Sequence, residues 1–189
     1  NLLIMRAWVT FGVVSLSATL SLADDAPQMV TRSSFPPTDM DLVLLGRDLF
    51  YDPILSGNLN TSCATCHHPR LGSADGMSLS IGDGGMGLGP DRTVIAGQEP
   101  TARIPRNAPA LWNLGAYEFT TMFHDGRVEL DDDSQFGLRM PADRPLERSL
   151  PSPLAAQAML PPLSPDEMAG QRGENPVGDA VAMGDAAQA

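Results

Sequence analysis

The sequence predicts a mainly α fold interrupted by long irregular loops, and three observations carry that expectation. Leu42, Leu45 and Leu49 recur at helical spacing ahead of Pro53. Ser152-Pro153 and Ser164-Pro165 each set a capping hydroxyl before a first-turn proline. Glycines at 82, 84, 85, 87 and 89 forbid a stable helix over residues 72–97. The chain has 189 residues, enough for one domain and an incomplete second. With 5% aromatic residues, 18 glycines and 17 prolines, its core is small and loop-rich. The net charge of −11 argues against a nucleic-acid partner. All twelve basic residues are arginines.

Taken from the start, residues 1–23 read as an export signal. Arg6 supplies the positive end, Ala7 to Leu20 is an uncharged apolar run, and Ser21-Leu22-Ala23 offers a cleavage site before Asp24-Asp25. Met5 is the expected initiator. The alternative, a membrane anchor, needs about 20 apolar residues, and this run is shorter and broken by Ser and Thr. Residues 24–37 form a polar lead-in. Thr38 opens a helix, spaced from Asp41 as in a capping box, and Pro53 stops it; its leucine face is expected to pack on the core.

Cys63-Ala64-Thr65-Cys66-His67 is the c-type haem attachment pattern. Each thiol adds to one vinyl group, and the histidine supplies an axial imidazole to the iron. Three alternatives stay open at this point. A thioredoxin-like pair needs a βαβ context, which the chain does not offer. A zinc site would have to recruit His68 and His124. A disulfide suits an exported chain. Embedded haem would supply apolar bulk that the sequence lacks, and export agrees with it, since this haem is attached outside the bacterial cytoplasm.

Beyond the motif, the glycines of 82–89 are best explained by a loop lying close over a haem face. Arg92, Arg103 and Arg106 are candidates for pairing with haem propionates, or else solvated surface residues. Ala110 to Ala116 is moderately apolar. Leu130 to Leu150, rich in acids and prolines, reads as a surface insertion. A helix is expected from Pro153 through Leu160, another starts at Ser164, and the tail after Gly173 carries no clear element.

These pieces together resemble the N-terminal half of bacterial dihaem cytochrome c peroxidases, including the methylamine-utilisation dihaem oxidases. The resemblance rests on Leu45-Gly46-Arg47-Asp48-Leu49-Phe50-Tyr51-Asp52, Leu55-Ser56, the haem motif with Ser62, and Arg106-Asn107-Ala108-Pro109. Phe123-His124-Asp125-Gly126-Arg127, Leu154-Ala155-Ala156-Gln157-Ala158 and Glu167-Met168 complete it, in order, between about residues 40 and 175. It implies a cytochrome c-like peroxidatic haem domain over 38–175 and a second haem domain beginning in 176–189. The chain is therefore expected to be a fragment at both ends.

The resemblance also assigns roles. Cys63 and Cys66 hold haem c covalently, and His67 is the proximal iron ligand. Glu167 shuttles a proton during O–O cleavage, with Gln157 ten residues before it. Asn107 helps to bind calcium. Hydrogen peroxide is the implied substrate, and the implied partners are a small donor protein (cytochrome c or cupredoxin) and the missing C-terminal haem domain, all in the periplasm. Two departures stand out. His124 replaces a tryptophan relay, so it is expected to act as a proton-active distal group or as a structural histidine. Asp83 stands where many relatives carry a removable histidine ligand sixteen residues past the proximal one, which leaves the iron open unless Met77 or Met86 binds it. Glu167 could also merely cap a helix with Ser164, and Gln157 could be an ordinary helix-face residue. The alternative functions are an electron-transfer cytochrome, a dihaem oxidase acting on protein side chains, and a zinc-binding structural domain.

Overall fold

A computed structural model describes residues 29–141 and 146–185. The chain divides into two compact units, 1–30 and 31–189. Only exposed Met29 and Val30 of the first fall among the described residues, so the expected export signal lies outside them.

The second unit is less helical than the sequence implies. Helix α1 spans Met40–Tyr51, α2 Cys63–Cys66, α3 Pro153–Gln157 and α4 Pro176–Ala182. Short 3₁₀ turns, one π-helical turn, two small sheets and irregular chain make up the rest of the described residues. The long irregular loops are as expected, but "mainly α" overstates the helix content, because glycine and proline cut most helical segments to one or two turns.

Helix α1 begins one residue later than predicted. Asp39, not Thr38, is its N-cap, and its carboxylate accepts the N–H groups of Asp41 at 2.8 Å and Leu42 at 3.4 Å. The helix ends before Pro53, as expected; Asp52 then caps the following 3₁₀ turn by accepting the Ile54 N–H. The expected burial of its leucine face is not observed: no α1 residue is buried, and Leu42 and Leu45 are 66% and 54% exposed. Its contact with α2 and the covering of Leu49 and Phe50 at its C-terminal end are what tie it to the unit.

The glycine-rich stretch folds into a two-stranded hairpin. Strand β1 (Gly85–Met86) pairs antiparallel with β2 (Thr93–Val94). Strands β3 (Thr121–Met122), β4 (Val128–Leu130) and β5 (Leu138–Arg139) form an antiparallel meander. Buried Met122, Val128, Leu138 and Ala156 pack beneath it with Leu146, Leu150, Leu154 and Leu160. Leu130 to Leu150 is thus more than a surface insertion, since it contributes a strand and several core leucines. Its strands are too short to display period-2 alternation.

Helix α3 stops at Gln157 rather than Leu160, and Pro161-Pro162, which have no N–H to donate, start a 3₁₀ turn. The start at Ser164 becomes a π-helical turn over Pro165–Ala169, in which the Ala169 N–H reaches Ser164 O at 2.9 Å. The tail holds a helix that the sequence reading missed. Asn175 caps α4 by accepting the Gly178 N–H at 2.8 Å, and Gly178, Ala180 and Val181 are buried. Asn175-Pro176 was the available signal, an N-cap followed by a first-turn proline.

Candidate haem-attachment site

Ser62 and Thr65 determine the conformation of the cysteine motif. The Ser62 N–H donates to Thr65 Oγ1 at 3.0 Å, and the two hydroxyls lie 3.3 Å apart. This reciprocal cap winds Cys63 to Cys66 into a single helical turn, which brings residues three apart to one face. Both thiols are free and half-buried. Burial pushes both above the ordinary cysteine range, Cys66 to about 11 even though the nearby Arg92 charge pulls that thiol the other way. They therefore remain thiols at neutral pH.

His67 follows as the C-cap of α2, its N–H bonded to Cys63 O at 2.9 Å. Its ring Nδ1 lies 3.0 Å from Ser73 O and 3.0 Å from Pro109 O. A carbonyl oxygen only accepts, so Nδ1 is the donor, and in the neutral ring this makes Nε2 the nitrogen with the lone pair. This is the tautomer of an imidazole that binds metal through Nε2 while a backbone carbonyl orients it. Two thiols on one face of a turn followed by such an imidazole form a donor set that fits haem c. The support is extensive. Ser73 Oγ accepts the Leu111 N–H at 2.8 Å and Ser80 Oγ accepts the Ala108 N–H at 3.1 Å, two bonds that flank Pro109 and hold its carbonyl against the ring nitrogen.

The competing readings lose ground. His68 Nδ1 accepts the Arg70 N–H at 3.1 Å and caps a 3₁₀ turn, so that nitrogen is taken up by the backbone. Among the described residues no group of three or more His, Cys, Asp or Glu side chains could hold a metal ion.

Glu167 sits on the π-helical turn, partly covered. Burial raises its carboxyl above the usual range; a hydrogen bond from Ser164 and the charge of Arg127 pull the other way, and Asp166 adds to the rise. The Ser164 hydroxyl does not cap the turn's backbone, so the capping-box alternative for this pair is not formed. Glu167 also acts electrostatically on Cys66, so the acid and the haem-motif sulfur share one region. The turn is pinned from several sides. Gly57 N–H donates to Met168 O at 2.8 Å, Asp83 N–H to Asp166 O at 3.2 Å, and Asn175 Nδ2 to Ala169 O at 3.0 Å.

The remaining predicted residues are more dispersed. Gln157 ends α3, partly covered, and its side chain makes no hydrogen bond among the described residues. His124 is exposed in the β3–β4 turn beside Asp125. Its neighbour Arg127 lies 4.8 Å over the Phe123 ring, pairs with Asp125 at 2.9 Å and holds that carboxyl below the usual range. Arg127, not His124, is thus the turn residue whose charge reaches Glu167. Asn107 is exposed and makes only a 3.5 Å contact with Ala108 O. Met86 is 59% exposed on β1, and Met77 is partly covered.

Sequence reasoning missed what the arginines and glycines do. Arg92 is not a solvated surface residue. The residue is 5% exposed, and its guanidinium donates to the carbonyls of Ile81, Gly82 and Gly87. Arg103 is bonded to Leu79 O at 2.8 Å. Several of the glycines make room for protein rather than for haem: a Cβ on Gly82 would sit 2.2 Å from Asp166 O, and one on Gly85 would sit 2.7 Å from Arg92 Nε. Asp83 is buried, with Oδ2 accepting from Asn58 at 2.9 Å and Oδ1 without a partner.

Comparison with known proteins agrees with this site. The family model described as di-haem cytochrome c peroxidase matches residues 40–183. Methylamine utilization protein MauG of Paracoccus denitrificans is 32% identical over 157 residues, covering 78% of this chain and 38% of that protein. Cytochrome-c peroxidase IdrP2 of Denitromonas iodatirespirans is 33% identical over 119 residues, 62% of this chain and 27% of its own length. Cytochrome c551 peroxidase of Pseudomonas aeruginosa is 32% identical over 103 residues, 54% and 25%. The chain thus spans between a quarter and two fifths of the length of these relatives. No solved structure matches it. With the model covering most of its length and the haem motif inside the match, the chain belongs to the di-haem cytochrome c peroxidase family.

Proposed function

We propose that this chain is the cytochrome c-like peroxidatic haem domain of an exported di-haem peroxidase, reducing hydrogen peroxide with electrons from a small donor protein. The observation that carries the reading is His67, its Nδ1–H held by two carbonyls and its Nε2 left free, directly after two thiols on one helical turn. Cys63 and Cys66 would bond haem c through thioethers, and His67 Nε2 would be its proximal ligand. When bound, the haem supplies the redox-active iron and the site at which peroxide meets electrons.

The protein's own part is proton handling. Reduction of hydrogen peroxide to two waters consumes two electrons and two protons, and a proton must also move from one peroxide oxygen to the other. A Glu167 carboxyl raised by burial holds its proton more readily than an ordinary carboxylate and so suits that transfer. Arg127 limits the rise and so keeps the group able to release its proton. Gln157 orients peroxide or water by hydrogen bonding. His124, exposed beside Asp125, serves as a proton-active group at the rim of this region. Asn107 contributes to a calcium site completed by residues of the second haem domain. Residues 1–23 direct export to the periplasm.

The test is Glu167→Gln in the full-length protein. The pyridine haemochrome spectrum stays that of haem c, while peroxide turnover falls about 100-fold or more, the typical contribution of a positioned acid–base group. Wild-type turnover in this variant would reject the assignment of Glu167. Colourless protein from a host with working haem maturation would reject the haem reading.

A further inference from the structure

The hairpin over residues 81–94 closes on a buried cation. Arg92 Nε donates to Ile81 O at 2.7 Å, and its two terminal nitrogens donate to Gly87 O at 3.1 Å and Gly82 O at 2.5 Å. Gly85 leaves no room beside it: a Cβ there would lie 2.8 Å from the guanidinium carbon. Cys66 Sγ lies 3.9 Å from Ile81 O, so cation and sulfur approach the same oxygen. Of the charges acting on Cys66, that of Arg92 is the largest, ahead of Asp75 and Glu167. Asp83, 5% exposed and acting on Arg92, keeps one carboxylate oxygen unpartnered. A neutral side chain could close this hairpin with less desolvation than a charged one. Arginine instead keeps a permanent charge there.

We propose that Arg92 is a positioning residue whose buried positive charge beside the Cys66 sulfur raises the reduction potential of the haem bonded at that sulfur. The inference rests on the haem reading above. Reduction removes one positive charge from the iron, so a fixed cation disfavours the oxidised state more than the reduced one. Burial shields this effect from salt. The Asp83 carboxylate damps it.

The experiment is a spectroelectrochemical titration of the full-length, haem-loaded protein, with Arg92→Gln and Asp83→Asn beside the wild type. In Arg92→Gln the ferrous-to-ferric ratio at a fixed poise falls about tenfold, a midpoint lower by about 59 mV for one electron. In Asp83→Asn, which preserves shape and removes the opposing charge, the ratio rises roughly threefold. Unchanged midpoints, or shifts of the same sign in both variants, overturn the proposal. If Arg92→Gln does not fold, Asp83→Asn decides alone: a rise supports it, and no change or a fall overturns it. A pyridine haemochrome assay separates the two levels of failure. Wild-type protein without thioether-bound haem overturns the haem reading and this inference together, whereas haem-loaded variants with wild-type midpoints overturn only this one.

Discussion

Two glycines give one substitution opposite signs. Gly82 has ordinary negative-φ or extended geometry, so alanine there meets only a space problem. Its Cβ would lie 2.2 Å from Asp166 O, 2.6 Å from Glu167 Cα and 2.6 Å from Glu167 O. These are backbone atoms and cannot swing away like a side-chain tip. Relief to ordinary contact, at 3.4 Å, needs a displacement of about 1 Å, and that turn is pinned by Gly57, Asp83 and Asn175. Overpacking of this kind costs about 3 kcal/mol. At roughly 2–4 °C per kcal/mol for a unit of this size, Gly82→Ala melts about 6–12 °C below wild type. Gly46, inside α1, has nothing within 4 Å of its Cβ position. Gly46→Ala gains about 0.5–1 kcal/mol of helix propensity and melts about 1–4 °C higher. Thermal melts followed by far-ultraviolet circular dichroism check both. Shifts of the same sign, or Gly82→Ala melting within about 2 °C of wild type, would refute the packing argument.

The other expectations are simpler. Because burial raises the Glu167 carboxyl above the usual carboxylate range, the native state holds that proton more tightly than the unfolded chain does. Wild type therefore loses stability as pH climbs from about 4.5 through the raised value, and Glu167→Gln does not, so urea midpoints at pH 4 and pH 7.5 should show the variant gaining on wild type only at the higher pH. In the β3–β5 meander, Val128→Ala at 0% exposure costs about 2 kcal/mol, whereas Arg139→Ala, which breaks the exposed cross-strand pair with Glu129, costs under about 1 kcal/mol. Equal urea midpoints for those two variants would count against the meander as the site of the core.

The sequence disclosed chemistry better than architecture. The cysteine motif and its histidine are local signals, and the structure places them on one turn, whose Ser62–Thr65 cap the sequence reading did not single out. The start and stop of α1 were legible within a residue because Asp39 and Pro53 act locally. Its burial was not, since helical spacing shows that a face exists but not what covers it. The meander escaped notice because its strands are two or three residues long. The absence of helix over 72–97 followed from glycine count, but the reason for individual glycines lay in partners up to 85 residues away, such as Asp166 and Glu167 against Gly82. Arg92 illustrates the same limit. Nothing in the letters around it distinguishes a caged guanidinium from a solvated one.

Ser73 and Pro109 close on the same His67 nitrogen from 6 and 42 residues along the chain. The excursion between them works as a spring clip, with both jaws on one proton. A nick near Gly97, where the backbone is exposed, would leave the short jaw covalently attached and the long one held only by hydrogen bonds such as those from Ala108 and Leu111 to the Ser80 and Ser73 hydroxyls. The imidazole would stay in place but lose part of its restraint against rotation, so damage at a distant surface bend would be felt first as a loosened His67 ring.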